Sequence, residues 1–524
     1  LIEFWSPHPH VDDAYISYRY SLNLVAGHGL VYNVGEFVEG FTNLLWVLLV
    51  SIGVLLGEKA ALVGHFLGLA SGVALLLLAY AYARQGLPSG SRAWAGLAPW
   101  LLFCSAPFAV WSTSGLETPL FAAAVTGALL CEARRKLGLA TLALLIATAT
   151  RPEGALLAGV VFAAALRHPE ERRRVLVAAA IYGLCLVGLT GFRLAYFGEP
   201  LPNTFYAKVG GVPFSFASSY VAAFMLQFVA PLTLAATLGV RREPALRPGA
   251  CWVGVLAVYV WSVGGDAFQD ARFFVPALVP LIALALSGTV RAALPGSDQG
   301  EASVRAAIAS LPLAFAWCLG GPVTGTLALV ALVPLGWLFR AQSRKRWTGV
   351  AATICLAAAT LVAPGSLGLE PVSRLHSPVS AVLHSTRSRS VEGSHAFWRL
   401  VFTNSTQLAR VLKQQEPPVQ SVAAVGIGAL GYKLPVRIVD LVGLVDAKIA
   451  RTRLVPGKAA LLRPGHQRGA PEYVLESRPE YLLIPRERER ALLPAVRALQ
   501  AHPALNRLYV WDEKVAGYRL RSLP

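Results

Sequence analysis

Two adjacent carboxylates, Asp12 and Asp13, open the stretch DDAYISYRYSLNLVAGHGLVYN near the start of the 524-residue chain. Paired acids repel each other and separate in proton affinity, which suits one of them to accept a proton. Further along, single charged residues stand among Gly, Pro and small side chains: Glu117 in SGLETP, Arg151 and Glu153 in TRPEG, Lys208 in PNTFYAK, Asp266 in GGD, and Arg272. Cations in such settings bind phosphate, and a carboxylate can take a proton from a hydroxyl nucleophile. The set suits transfer of a group from a phosphorylated lipid to an alcohol. Each residue also has a plainer reading, as an N-cap or a helix-end charge that snorkels.

These residues are interleaved with segments that must hold them at a membrane. The chain is 55% hydrophobic and only 15% charged, with a mean hydropathy of +0.54, which is too apolar for a soluble protein of this length. Apolar runs are read at 60–83, 93–111, 117–133, 137–149, 152–167, 174–197, 216–240, 249–263, 273–290, 304–320, 322–340 and 347–363. The class is an α-helical multi-pass membrane protein. Six cysteines all fall inside apolar runs with no CxxC pair, so they point to neither a disulfide framework nor zinc.

The net charge of +18 does not indicate nucleic acid, because in a membrane protein the placement of Lys and Arg decides its meaning. Alternate connections carry 18 of them, including ARRK at 133–136, RHPEERRR at 167–174 and RAQSRKR at 340–346; the intervening ones carry Arg151, Lys208 and Arg272 alone. The basic set is therefore expected in the cytoplasm. By parity the acid pair, 112–118, 150–154, 198–211, 264–272 and the C-terminal region share the outer side, where they can converge. Residues 41–57 break this parity if they span, and are read as a re-entrant or interfacial helix. The chain begins on Leu rather than Met, which points to a preceding segment, a first transmembrane helix.

Two motifs are set aside. HPHVDD at 8–13 looks like a His-x-His-x-Asp-His metal signature, but its last His is replaced and no later His pair stands at matching spacing; a divalent cation shared by Asp13 and a phosphate is a more natural metal reading. GIGALG at 426–431 matches GxGxxG, yet the next strand is expected about five residues later, too soon for a crossover helix, so it reads as a tight turn. Around it the composition turns polar. Residues 364–524 hold 23 Lys and Arg against 12 Asp and Glu and read as a small α/β domain, with strands at 421–427, 436–443, 480–485, 508–511 and 515–522 and helices near 395–415 and 487–501.

The blocks 12–46, SGLETPLF at 114–121, TRPEG at 150–154, FGEPLPNTFYAK at 197–208, GGDAFQDARFFVPALVP at 264–280 and GALGYKLPVRIVDLVGLVD at 428–446 together resemble the polyprenyl-phosphate-dependent glycosyltransferases of the GT-C fold. The branch most similar is the terminal β-(1→2)-arabinofuranosyltransferase family of cell-wall arabinan. The resemblance implies a GT-C transmembrane domain over 1–363 with its first outer loop at 1–59, a small extracytoplasmic α/β domain over 364–524, and residence in the inner (plasma) membrane. It implies a polyprenyl-phosphate-linked sugar donor, an envelope glycan or lipid acceptor, and membrane lipids as partners. Asp12 matches the proposed base, and Asp13 its neighbour, which orients the acceptor or binds a metal. Arg151, Lys208 and Arg272 would meet the donor phosphate. Arg19, His28, Asn33, Glu39, Asn43, Glu117, Glu153, Asn203, Tyr206 and Asp266 would line the donor and acceptor cleft. The alternatives are a lipid or solute transporter, disfavoured by spans nearly free of charge between their ends, and a non-catalytic membrane scaffold.

Overall fold

The computed structural model describes residues 9–103, 105–209, 214–225, 243–266, 268, 271–293, 391–454, 465–487 and 493–521. The chain opens with helix α1 (Asp12–Val25), followed by α2 (Leu44–Leu55) and α3 (Ala60–Ala83). The next expected span is broken into α4 (Leu97–Phe103) and α5 (Ala106–Ser112), bent by 65°. Then come α6 (Thr118–Ala133), α7 (Leu137–Thr150), α8 (Gly154–Ala165), α9 (Arg172–Phe197), α10 (Asn203–Lys208), α11 (Phe214–Phe224), α12 (Arg247–Ser262) and α13 (Val275–Ala293). The expected spans at 304–320, 322–340 and 347–363, and the boundary at 364, lie outside the described residues.

Among the described residues, two helical stretches are long and apolar enough to cross a membrane, Ala60–Gly86 and Pro169–Phe197. Their outward faces carry exposed Phe66, Val73 and Leu77 on α3 and Leu176, Ile181, Leu184 and Val187 on α9. So much uncovered apolar surface suits hydrocarbon rather than water. The expected spans 117–133, 137–149 and 152–167 form helices of 16, 14 and 12 residues, short of the roughly 20 that a crossing needs. Helix α2, with 12 residues, is likewise too short to cross, as its reading as an interfacial or re-entrant element requires. Glycines 64, 68 and 72 form a stripe along α3 that lets α1 and α5 approach closely: a Cβ at Gly64 would overlap the Tyr18 ring, and one at Gly68 the Ser112 carbonyl.

The C-terminal domain begins with α14 (Val391–Lys413) and continues as β1 (Ser421–Ala424), α15 (Gly428–Lys433), β2 (Arg437–Asp440), α16 (Ala447–Ala450), α17 (Pro471–Glu476), β3 (Tyr481–Leu482), α18 (Pro494–Ala501), α19 (Leu505–Leu508), β4 (Tyr509–Asp512) and β5 (Gly517–Leu520). Its five-stranded sheet has the order β2-β1-β3-β5-β4, with β1 parallel to both β2 and β3 and the β4–β5 hairpin antiparallel. Four of the five strands fall inside the segments read from the sequence, and β4 runs one residue past its segment, to Asp512. The GIGALG turn, however, carries α15, a six-residue helix that completes the parallel crossover from β1 to β2. A single short helix suffices there, contrary to the expectation that no crossover would fit. This edge of the domain packs on the first loop, where Ile16, Tyr20, Tyr32 and Phe41 share one apolar cluster with Val422, Ile427, Leu430 and Ile438.

Candidate active site

The residues expected on one face do meet. A cavity of about 630 Å³ lies between the apolar helices and the C-terminal domain, lined by Asp12, Asp13, Asn43, Glu117, Arg151, Glu153, Lys208, Asp266 and Arg272. Its C-terminal wall is built from Val425, Gly426, Ile427, Val442, Leu444, Gly465 and His466. Aromatic side chains of α5, α11 and α14, among them Trp111, Tyr220, Phe397 and Trp398, close the apolar side.

Asp12 and Asp13 occupy the first turn of α1, but neither caps it: Val11 is the N-cap and no side-chain cap bond forms. Asp12 reaches instead to α15, where its two oxygens accept N–H bonds from Gly428 at 3.0 Å and Ala429 at 2.8 Å. Gly428 is required by this contact, because a Cβ there would collide with the Asp12 backbone carbonyl. Burial pushes the Asp12 carboxyl above the usual range; the Ala429 N–H bond opposes this, and the neighbouring Asp13 charge adds to it. Asp13 lines the same cavity and has no hydrogen-bond partner among the described residues. The two acids are therefore held differently. One is tied to the C-terminal domain and the other is open to a ligand.

The cations divide in the same way. Arg151 donates to Glu153 at 2.5 Å and to Glu117 at 2.7 Å, and Asn43 donates to the second Glu117 oxygen at 2.8 Å while bonding Ser17. Arg272 holds Asp266 bidentately at 2.7 and 3.1 Å, with its guanidinium over Phe268. Both arginines are thus neutralised by protein carboxylates. Lys208 forms no ion pair or hydrogen bond with any described residue. One turn earlier on α10, the buried Thr204 hydroxyl also lacks a partner among the described residues and lines the cavity. Burial pushes the Lys208 amine below the ordinary lysine range, with the Asp13 charge pulling it back and Arg272 lowering it further.

Six residues expected in the cleft lie elsewhere. His28 is exposed on the first loop. Arg19 donates to the carbonyls of Tyr32, Gly431, Leu434 and Val436, and Asn33 pairs with both backbone groups of Ile438. Glu39 pairs with Arg193 at 2.9 Å, Asn203 donates to the carbonyls of Gly443 and Leu444, and Tyr206 lies under Arg451. Arg19, Asn33, Glu39, Asn203 and Tyr206 are buried or paired because they brace the first loop and α10 against neighbouring elements. His10, from the metal-like string, bonds Tyr18 at 2.8 Å and stacks on His65; His8 lies outside the described residues. No group of three or more His, Cys, Asp or Glu is placed to hold a metal among the described residues.

The sequence reading singled out neither Ser17 nor Thr204 nor the C-terminal wall. Ser17 and Thr204 could have been found by helical spacing, since each stands four residues from a chosen charge, Asp13 or Lys208. His466 and Gly465 carry no such signal, because they reach the cavity by tertiary contact alone.

Residues 396–520 match a family model described as a domain of unknown function, DUF8728. Along most of its length the chain is similar to a terminal β-(1→2)-arabinofuranosyltransferase of Mycobacterium tuberculosis, 28% identical over 89% of this chain and 82% of that protein. The resemblance read from the sequence is borne out by this relative. Among solved structures, the chain is similar to ArnT from Cupriavidus metallidurans bound to undecaprenyl phosphate, with 16% identity, 83% of this chain and 84% of that one covered, and a TM-score of 0.45. It is also similar to the archaeal oligosaccharyltransferase AglB from Archaeoglobus fulgidus in complex with an inhibitory peptide and a dolichol-phosphate, with 14% identity, 91% and 66% covered, and a TM-score of 0.46.

Proposed function

We propose that this chain is a membrane glycosyltransferase of the GT-C type that moves a sugar from a polyprenyl-phosphate donor to a hydroxyl of an envelope glycan or lipid at the outer face of the inner membrane. The observation that carries the reading is an open carboxylate, Asp13, in the same cavity as an open cation and hydroxyl, Lys208 and Thr204. The 28% identity to a terminal arabinofuranosyltransferase supports it and makes a pentofuranose the donor sugar to test first.

In this reaction the acceptor hydroxyl gives its proton to Asp13 as its oxygen attacks the anomeric carbon. The bond from that carbon to the phosphate oxygen breaks, and the lipid phosphate leaves with both electrons of the bond. A single displacement inverts the anomeric centre. No acid is needed for the leaving group, since a phosphate already carries charge well, and Lys208 with Thr204 meets the charge that grows on it. The roles of the two acids are exchanged relative to the sequence expectation, because both Asp12 oxygens are already engaged by α15. Arg151 and Arg272 shape the walls, their own charges being balanced by Glu117, Glu153 and Asp266.

The test is transfer by the purified protein from a panel of polyprenyl-phosphate sugars, with released lipid phosphate followed by mass spectrometry. Asp13→Asn should lower turnover by roughly 10²–10⁴-fold, as loss of a general base does, while the donor KM changes little. Turnover retained in Asp13→Asn would refute the assignment, and release from no donor by intact protein would refute the activity.

A further inference from the structure

Asp12 and Arg19 grip opposite ends of one short helix. At the start of α15 the Asp12 carboxylate accepts the Gly428 and Ala429 N–H groups. At its end the Arg19 guanidinium donates to Gly431 O at 3.1 Å, Leu434 O at 3.4 Å and Val436 O at 2.7 Å. The Gly428 and Ala429 N–H groups and Gly431 O are among those that a helix leaves without internal partners, while Leu434 O and Val436 O belong to the turn that leads from α15 to β2. The spacing fits: seven residues along α1 rise about 10 Å, close to the ~9 Å length of a six-residue helix. Tyr32 completes the grip. Its ring lies 4.2 Å under the Arg19 guanidinium and its hydroxyl donates to Ile427 O at 2.6 Å. A Cβ on Gly431 would strike this same hydroxyl and Arg19, so α15 has no room to shift sideways.

We propose that the C-terminal domain sets the working state of the acid pair through this clamp, with Arg19 as the positioning residue. By fixing the carbonyl end of α15, Arg19 keeps the helix's first N–H groups opposite Asp12, which engages that carboxylate on both oxygens and leaves Asp13 as the acid open to the acceptor. The domain of unknown function thereby acquires a role as a structural arm of the active site, beyond forming its wall. This inference rests on the glycosyltransferase reading for its catalytic consequence, but the clamp itself can be read without activity.

Arg19→Lys is the decisive variant, since a lysine has three donors and no planar fork and cannot serve the carbonyls that Arg19 holds. In full-length protein in lipid nanodiscs, Arg19→Lys and Asp12→Asn should each lower kcat by about tenfold at nearly constant donor KM, and the double variant should lose no more than the worse single one, because residues in one network are not additive. Amide hydrogen exchange over 426–434 should quicken in both single variants. A bystander brace would give losses that multiply, or leave exchange at Gly428 and Ala429 unchanged, and either result overturns the proposal. If Arg19→Lys does not fold, Tyr32→Phe takes its place in the cycle, with the same expected non-additivity against Asp12→Asn. If the wild type transfers no sugar, the glycosyltransferase reading fails and the exchange measurement alone decides the clamp.

Discussion

Arg151 and Glu117 are separated by 34 residues in sequence and by 2.7 Å in space. Their ion pair, with Glu153 on the other side of the guanidinium, lies almost wholly out of solvent. A buried charge of this kind stands only with its partners, and here two carboxylates share one cation while Asn43 supplies a further donor. The arrangement explains how a charge can sit between two short apolar helices, α7 and α8, without a ligand to neutralise it.

Removing the cation should therefore be costly. Arg151→Ala leaves two buried carboxylates facing each other and is expected to destabilise the protein by about 3–5 kcal/mol. Thermal unfolding in detergent measures this. Glu153→Gln should cost less, because Glu117 still balances the arginine. Equal stability of Arg151→Ala and wild type would show that the pair is solvated after all.

On the proposed function, Lys208 is expected to make donor binding sensitive to pH. Only the protonated amine attracts phosphate, and burial holds its proton affinity below that of an ordinary lysine. The donor KM is thus expected to rise as pH increases through the lowered lysine range. Arg at this position stays charged at any accessible pH. Lys208→Arg should hold a flat KM to higher pH, and Lys208→Met should bind donor poorly throughout; a KM in the wild type that does not change with pH would speak against the lysine as the phosphate partner.

In the C-terminal domain, burial pushes the Asp440 carboxyl up to about 7 from an ordinary 3.8, although the Val442 and Val445 N–H groups pull it down. Below the ordinary value both folded and unfolded states hold the proton, so the contribution to stability is full. Between that value and about 7 the unfolded chain has released a proton that the folded chain keeps, and stability falls as pH rises. Above it the loss is complete. Melting temperatures of wild type and Asp440→Asn across this window should diverge in slope, with the variant the flatter of the two.

The sidedness proposed from the charge pattern is open to labelling. Glu513 on the β4–β5 hairpin and Lys136 before α7 are both exposed. A membrane-impermeant maleimide should react with Glu513→Cys in intact spheroplasts and with Lys136→Cys only after permeabilisation. The opposite pattern would invert the proposed orientation.

Much of this architecture was legible in the chain because it depends on local pattern. Apolar length marked α3 and α9, alternation marked the five strands, and loop-charge parity brought the acid pair, Glu117, Arg151, Glu153, Lys208, Asp266 and Arg272 to one cavity. What failed was the step from proximity in a motif to presence in the cleft. Arg19, Asn33 and Glu39 share a segment with Asp13, yet Arg19 stands on another face of α1, Asn33 and Glu39 lie in the loop that follows it, and all three bond to the C-terminal domain or α9.

The sequence by itself determined the membrane class, the identity of the charged residues at the site and the strand pattern of the C-terminal domain, because hydropathy and charge are properties of short stretches. Only the tertiary structure decided which charges are spent on one another and which stay open. Asp12 and Gly428 are 416 residues apart, and no local signal reports that a helix N-terminus from one end of the chain will occupy a carboxylate at the other. That long-range contact, with the pairing of Arg151 and Arg272, singles out Asp13 and Lys208 among the described residues of the cavity as its open carboxylate and open cation.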